Sequence, residues 1–197
     1  MAQDRSSIPL ATVAVLACVL AAGGCGRFGQ VNQGRVIQYD RDRGLVTLIQ
    51  DANYREPERP RFDVLPPVTV RVPADRSEMG PGPEAGKLLA LDSERSLLSV
   101  YDSAVGRIRT IPYTSVRERP SVHRDAGLPR IDRQSRTITM YDFRRRLLLT
   151  FTVGDEDFNL PADTWKTGDD IRYYYKEPGQ ALRMMNVTRA EISEDRK

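Results

Sequence analysis

The sequence is poor in the residues that most often carry chemistry. Its 197 residues include two cysteines, one histidine and one tryptophan. Both cysteines, Cys18 and Cys25, fall near the N-terminus. The chain beyond them has no thiol, which excludes a disulfide framework, a cysteine nucleophile and a Cys-based metal site there. A single histidine, His123, leaves no second imidazole to share a metal. Charge of one sign is also missing: 30 basic residues face 27 acidic ones, for a net charge of +3. That mixture is not the basic field of a nucleic-acid binder, and no nucleic-acid partner is expected. The longest predominantly apolar stretch runs only from Ile8 to Ala22. A spanning helix needs roughly 20 apolar residues, more than this stretch supplies.

What is present begins with the N-terminal segment MAQDRSSIPLATVAVLACVLAAGGC, which ends at Cys25. A short n-region carries Arg5, then comes the uncharged run, then the small residues Ala21, Ala22, Gly23 and Gly24 directly before Cys25. This is the tripartite plan of a secretory signal. Small side chains suit a peptidase that threads an extended backbone, and the thiol after them can accept a diacylglycerol group. Ala22-Gly23-Gly24-Cys25 resembles a lipobox, with Ala22 where that motif usually has leucine. Cleavage before Cys25 would leave a chain that starts at the cysteine, anchored by acyl chains without a transmembrane helix. A soluble secreted protein cleaved after Ala22 or Gly24, and an uncleaved anchor, are the two alternatives. Gly26 follows the cysteine where an inner-membrane retention signal would have Asp, which favours the outer membrane, facing the periplasm. Residues 26–34 read as a polar, glycine-containing tether.

Beyond the tether the chain reads as nearly all β. Apolar and β-branched residues alternate with charges in short runs broken by Gly, Pro, Asp and Arg. Strands are expected at 34–40, 45–50, 67–72, 86–92, 97–102, 107–113, 128–132, 136–142, 146–153, 170–176 and 181–190. No amphipathic helix is expected, and at most one helical turn near Leu160–Lys166.

The chain also repeats itself. GRVIQYDRDRGLVTL from Gly34 aligns without gaps on GKLLALDSERSLLSV from Gly86, matching Asp40 with Asp92 and Arg43 with Arg95. A third copy begins near Arg130, where Asp132 matches Asp92 and Tyr141-Asp142 matches Tyr101-Asp102. The shared unit is strand, Asp-led polar turn, strand. The Asp side chain can accept from backbone N–H groups of its own turn, which explains its position without catalysis.

The expected fold class is all-β: two tandem small β-barrel-like, OB-like units built from repeated hairpins after the signal segment. The expected division is 1–24 signal peptide, 25–33 lipidated tether, 34–116 first unit, 117–128 linker, 129–191 OB-like unit and 192–197 polar tail. In the last unit, Ile138-Thr139-Met140, Leu149-Thr150-Phe151-Thr152-Val153, Thr167-Gly168-Asp169 and the final hairpin resemble the small periplasmic copper-chaperone OB domains. That resemblance covers 129–191. The family's copper ligands do not carry over: Asp142-Phe143 and Leu147-Leu148-Leu149 stand where its His, Trp and Met would be. The chain as a whole resembles uncharacterised bacterial envelope lipoproteins, which implies a location and no mechanism.

Other residue groups invite a chemical reading. His123 lies in the polar linker near Asp125. Asp155-Glu156-Asp157 offers carboxylates without EF-hand spacing. Met184 and Met185 should point to opposite sheet faces. Tyr173-Tyr174-Tyr175 should place two rings on one face and one on the other. The arginines form two clusters, Arg55, Arg59 and Arg61, and Arg144-Arg145-Arg146, suited to anionic headgroups or to solvated turns. None of these is assigned: no catalytic, cofactor or metal residue is expected. The one site residue is Cys25, the lipid attachment point. The expected function is a membrane-anchored periplasmic lipoprotein, a non-enzymatic binding or envelope-scaffolding module with an envelope protein or polymer partner. The alternative is a ligand carrier or hydrolase with a cleft between the two β units.

Overall fold

The computed structural model describes residues 28–56, 59–121, 127–142 and 145–194. Cys18, Cys25, His123, Asp125, Phe143 and Arg144 lie outside them. The fold is all-β. The strands are β1 Gln30–Asp40, β2 Leu45–Gln50, β3 Val64–Arg71, β4 Leu88–Asp92, β5 Leu97–Asp102, β6 Arg107–Pro120, β7 Arg130–Asp132, β8 Thr137–Asp142, β9 Leu147–Val153, β10 Asp170–Tyr175 and β11 Arg183–Asn186. They form two antiparallel sheets, ordered β11-β10-β1-β2-β3 and β4-β5-β6-β9-β8-β7, and neither is closed into a barrel.

Five hairpins share one local device. Across each, an Asp pairs with the residue five positions on: Asp40 with Leu45, Asp92 with Leu97, Asp102 with Arg107, Asp132 with Thr137 and Asp142 with Leu147. The Asp carboxylate accepts from the backbone N–H groups of the loop. Arg43 N–H donates to Asp40, Arg95 to Asp92, Ala104 to Asp102, Ser135 to Asp132 and Arg145 to Asp142. The last loop residue always has positive φ: Gly44 at 62°, Ser96 at 57°, Gly106 at 65°, Arg136 at 54° and Arg146 at 50°. A left-handed residue at that point lets the chain re-enter the partner strand with the correct twist. The repeat seen in the sequence is therefore a repeat of turn geometry, and it extends to the hairpins opened by Asp102 and Asp142.

The apolar positions of the strands gather into clusters. The largest lies on the six-stranded sheet, where Leu98, Val100, Ile111, Ile138, Leu149 and Phe151 meet Phe158 and Trp165. Phe151 packs edge-on against Tyr113 at 5.4 Å and against Trp165 at 6.1 Å between ring centroids. Phe158 comes from the single-turn helix α1, Asp155–Phe158, and Trp165 from a 3-10 turn, Ala162–Trp165. A second cluster, including Val36, Leu48, Val70, Ile171 and Met184, lies under the crossover that follows β3, which contributes Val72, Met79 and Ala85. The third joins the two sheets: Ile49 and Phe62 from one side, Leu89 and Tyr101 from the other.

The sheets do not follow the expected segments one to one. Strands β1–β3 share a sheet with β10 and β11, while β4–β6 share one with β7–β9. The boundary read at 117–128 falls partly inside β6, whose residues from Tyr113 to Pro120 pair with β9. The tether is shorter than read, because Gln30 to Gln33 pair with Tyr175 to Arg172. Residues 187–190, expected in the last strand, open helix α2, Val187–Glu194, which also takes in part of the expected tail. For the strands the reason is common. Alternation reports which face of a strand is buried, not which strand lies beside it.

Candidate functional site

The join between the sheets is where polar side chains concentrate. The segments around residues 84–88 and 166–169 run beside each other. Val36 N–H donates to the Asp169 carbonyl, Gly86 N–H to Val36 and Leu88 N–H to Lys166. A Cβ on Gly86 would lie 2.2 Å from the Lys166 carbonyl oxygen, and one on Gly168 would lie 2.0 Å from that of Val36. Only glycine permits two backbones this close.

Two ionic groups flank this crossing. On β1, Arg35 donates through Nε to Asp170 at 2.9 Å and through Nη2 at 2.6 Å, with Nη1 on the Leu89 carbonyl. Its guanidinium also lies 4.6 Å over the Phe62 ring. One side chain thus ties β1, β10, β4 and the loop before β3, through a two-toothed geometry that lysine does not offer. The second group centres on Asp169, which is 2 % exposed. Its carboxylate accepts from Glu84 N–H at 2.9 Å, Asn186 Nδ2 at 2.8 Å and Arg189 Nε at 3.4 Å. Arg189, on α2, also reaches Glu84 at 2.8 Å, and Lys166 meets the same carboxylate at 3.0 Å. Each charge in this group has an opposite charge or a backbone donor against it, as a buried carboxylate requires.

Between the sheets lies a cavity of about 120 Å³, lined mainly by Leu88, Leu89, Leu91, Met140 and Tyr141, with Arg35 and Asp142 as its charged members. A smaller one of about 20 Å³ adjoins it through Met140, Tyr141 and Thr167, and reaches Trp165. The pair forms a small, mostly apolar space with a few polar groups, the usual make-up of a ligand site but well below its usual size.

The other candidate residues are dispersed. Asp155 pairs with Arg136 and Asp157 with Arg109, each at 2.7 Å, so these carboxylates face arginines and do not converge. Among the described residues no group of three or more His, Cys, Asp or Glu could hold a metal. Met140 and Met184 are core, whereas Met185 is 43 % exposed. Tyr173 and Tyr175 share one face with ring centroids 5.4 Å apart, and burial pushes the Tyr173 phenol above its ordinary range. Tyr174 is on the opposite face, its ring over Gly29. Arg55 lies near the Tyr54 ring and Arg61 pairs with Asp63. Arg145 meets Glu118, which holds that carboxyl below the usual range. The Asp169 group has almost no sequence signal. Its members span residues 84 to 189, and the only local sign is the Thr167-Gly168-Asp169 break.

These features define a two-sheet, all-β protein built on Asp-led hairpins and locked by internal ion pairs. The chain belongs to the family described as a domain of unknown function, DUF4881, whose family model matches residues 27–195. No curated protein and no solved structure matches it.

Proposed function

We propose that the chain is a lipid-anchored envelope protein, held by acyl chains on Cys25, whose β fold is a non-catalytic binding or scaffolding module. The observation that carries this reading is the position of Cys25. It follows a short charged n-region, an uncharged run and four small residues, and stands shortly before β1 begins at Gln30. The matched family region begins at residue 27, just past the same point, which supports a division between a removable leader and the folded part. Gly26 favours the outer membrane. The partner is an envelope protein or polymer. The test is incorporation of radiolabelled lipid into the wild type and Cys25→Ala, followed by membrane fractionation. Label on the wild type alone is expected. Label persisting on the variant, or absent from both, overturns the anchor.

The cavity beside Arg35 favours a second reading, a carrier of a small, mainly apolar ligand. Native mass spectrometry of protein extracted from its own membrane checks this. A bound mass that Leu89→Trp removes supports carriage, and a ligand-free spectrum counts against it.

A further inference from the structure

The end of the five-stranded sheet where β1 begins has an unusual surface. Val31, Tyr174 and Arg183 are cross-strand neighbours in one row, and Gln33, Arg172 and Met185 in the next of that face. Side chains two apart on a strand share a face, so Val31, Tyr174 and Met185 lie on the same side of the sheet. Of the eight large apolar residues exposed among the described residues, four are at this corner: Phe28 at 95 %, Val31 at 43 %, Leu182 at 44 % and Met185 at 43 %. Leu182 is fixed there by its N–H on the Tyr174 carbonyl at 2.8 Å. Basic groups surround them: Arg172, Arg183 and, in the following turn, Lys176. Acidic residues are near as well: Glu78 meets Arg183, and Glu177 follows Lys176 in the turn. Arg172 is turned toward Gln33 at 3.0 Å, an uncharged partner.

The reach of the tether decides what this corner meets. The chain takes five steps from Cys25 to Gln30. Fully extended, they span at most about 18 Å. A bilayer has an interfacial layer several Å thick on each side of its roughly 30 Å hydrocarbon core. An anchor in that layer therefore keeps the first residues of β1 within about 18 Å of it. Aromatic and apolar side chains among Arg and Lys are what an interface with anionic headgroups attracts.

We propose that the corner formed by Phe28, Val31, Tyr174, Leu182 and Met185 seats in the headgroup layer of the membrane that carries the Cys25 anchor, with Arg172 and Lys176 on lipid phosphates. The proposal rests on the anchorage argued above. It adds that the fold stands in one fixed orientation, five-stranded sheet end down, instead of swinging on its tether.

The chain offers a direct test, since beyond Cys25 it has no cysteine. Nitroxide labels are placed on Val31→Cys, Met185→Cys and, as a distant control, Ser103→Cys at an exposed hairpin tip. The acylated full protein is reconstituted in phosphatidylethanolamine–phosphatidylglycerol vesicles, and acylation of Cys25 is verified by mass. Collision with oxygen, which concentrates in lipid, is compared with collision with a water-soluble nickel chelate. At positions 31 and 185 oxygen should dominate, and at 103 the order should reverse. Equal water exposure at all three positions, with Cys25 acylated, overturns the seating and leaves the anchor standing. Protection of 31 and 185 from both reagents overturns it in favour of a protein contact. A chain without acyl groups removes the anchor and the seating together.

Discussion

The hairpin turns allow the cost of a left-handed residue to be isolated from its surroundings. Gly106 ends the β5–β6 loop at φ 65°, and a Cβ there would meet nothing within 4 Å. Ser96 ends the β4–β5 loop at φ 57° in the same sheet. Exchanging the two residues changes backbone preference and little else. A Cβ in the left-handed region costs roughly 1–2 kcal/mol. Against this, a glycine lost from the unfolded chain returns about 0.4–1 kcal/mol of entropy. Gly106→Ser should therefore destabilise by about 0.5–1 kcal/mol, and Ser96→Gly should stabilise by a similar amount. For a chain of this size each kcal/mol moves Tm by about 2–4 °C, so the two variants should part by about 2–8 °C. Urea titration checks that the slope m stays constant while the midpoints move oppositely. Midpoints that move in the same direction, or a changed m, would refute the claim that these loops share one backbone geometry set by their last residue.

Three further outcomes follow from the packing. Asp169→Ala removes the acceptor shared by Asn186, Arg189 and the Glu84 N–H and leaves buried donors unpaired. Breaking a buried charged group costs about 3–5 kcal/mol, which thermal unfolding should show as a fall in Tm on the order of 10 °C. Phe151→Ala empties the contact between Tyr113 and Trp165, with about 3–5 kcal/mol lost in the same assay. Stability should also fall in acid. The side chain of Ser135, then the backbone N–H groups of Ser135 and Gln134, hold the Asp132 carboxyl below its ordinary range, and Arg145 does the same for Glu118. A lowered folded value contributes stability above the unfolded value of about 4 and loses it as pH falls through the folded one. A Tm profile from neutral to strongly acid solution should decline below about pH 4, and Asp132→Asn should flatten part of that decline.

The hairpins were the legible part of the fold. Asp40, Asp92 and Asp132 stood at matching places because a carboxylate is needed where loop N–H groups must be satisfied, and that need is local. The strands between them showed alternation for the same reason. What joins them was not legible. Gln30-Val31-Asn32-Gln33 has no strong pattern of its own and becomes a strand by lying against Arg172-Tyr173-Tyr174-Tyr175, near the far end of the chain. Nothing in the alternating run around Arg35 marks it out, yet its guanidinium binds Asp170 and the Leu89 carbonyl. Helix α2 was hidden because Val187-Thr188 extends a β-like run, and its hold on the sheet comes from Arg189 meeting Asp169 and Glu84. Such long-range partners are specified by complementarity in space, for which a linear pattern has no sign. The cavity between the sheets could not be read from any single segment either, since its walls come from β1, β4, β8 and the loop after residue 165.

The pairing of β1 with β10 sets an order on how the chain acquires its shape. A chain made from its N-terminus presents β1 first, with β2 and β3 soon after to cover one edge. The other edge keeps its open row of N–H and C=O groups until residues 170–175 emerge. Through that interval it is a template for any extended strand nearby, and the long loop that must close makes the step slow. Truncation before Asp170 would therefore do more than shorten the protein. It would leave the first strand permanently unsealed, and the expected product is an aggregate, not a smaller fold.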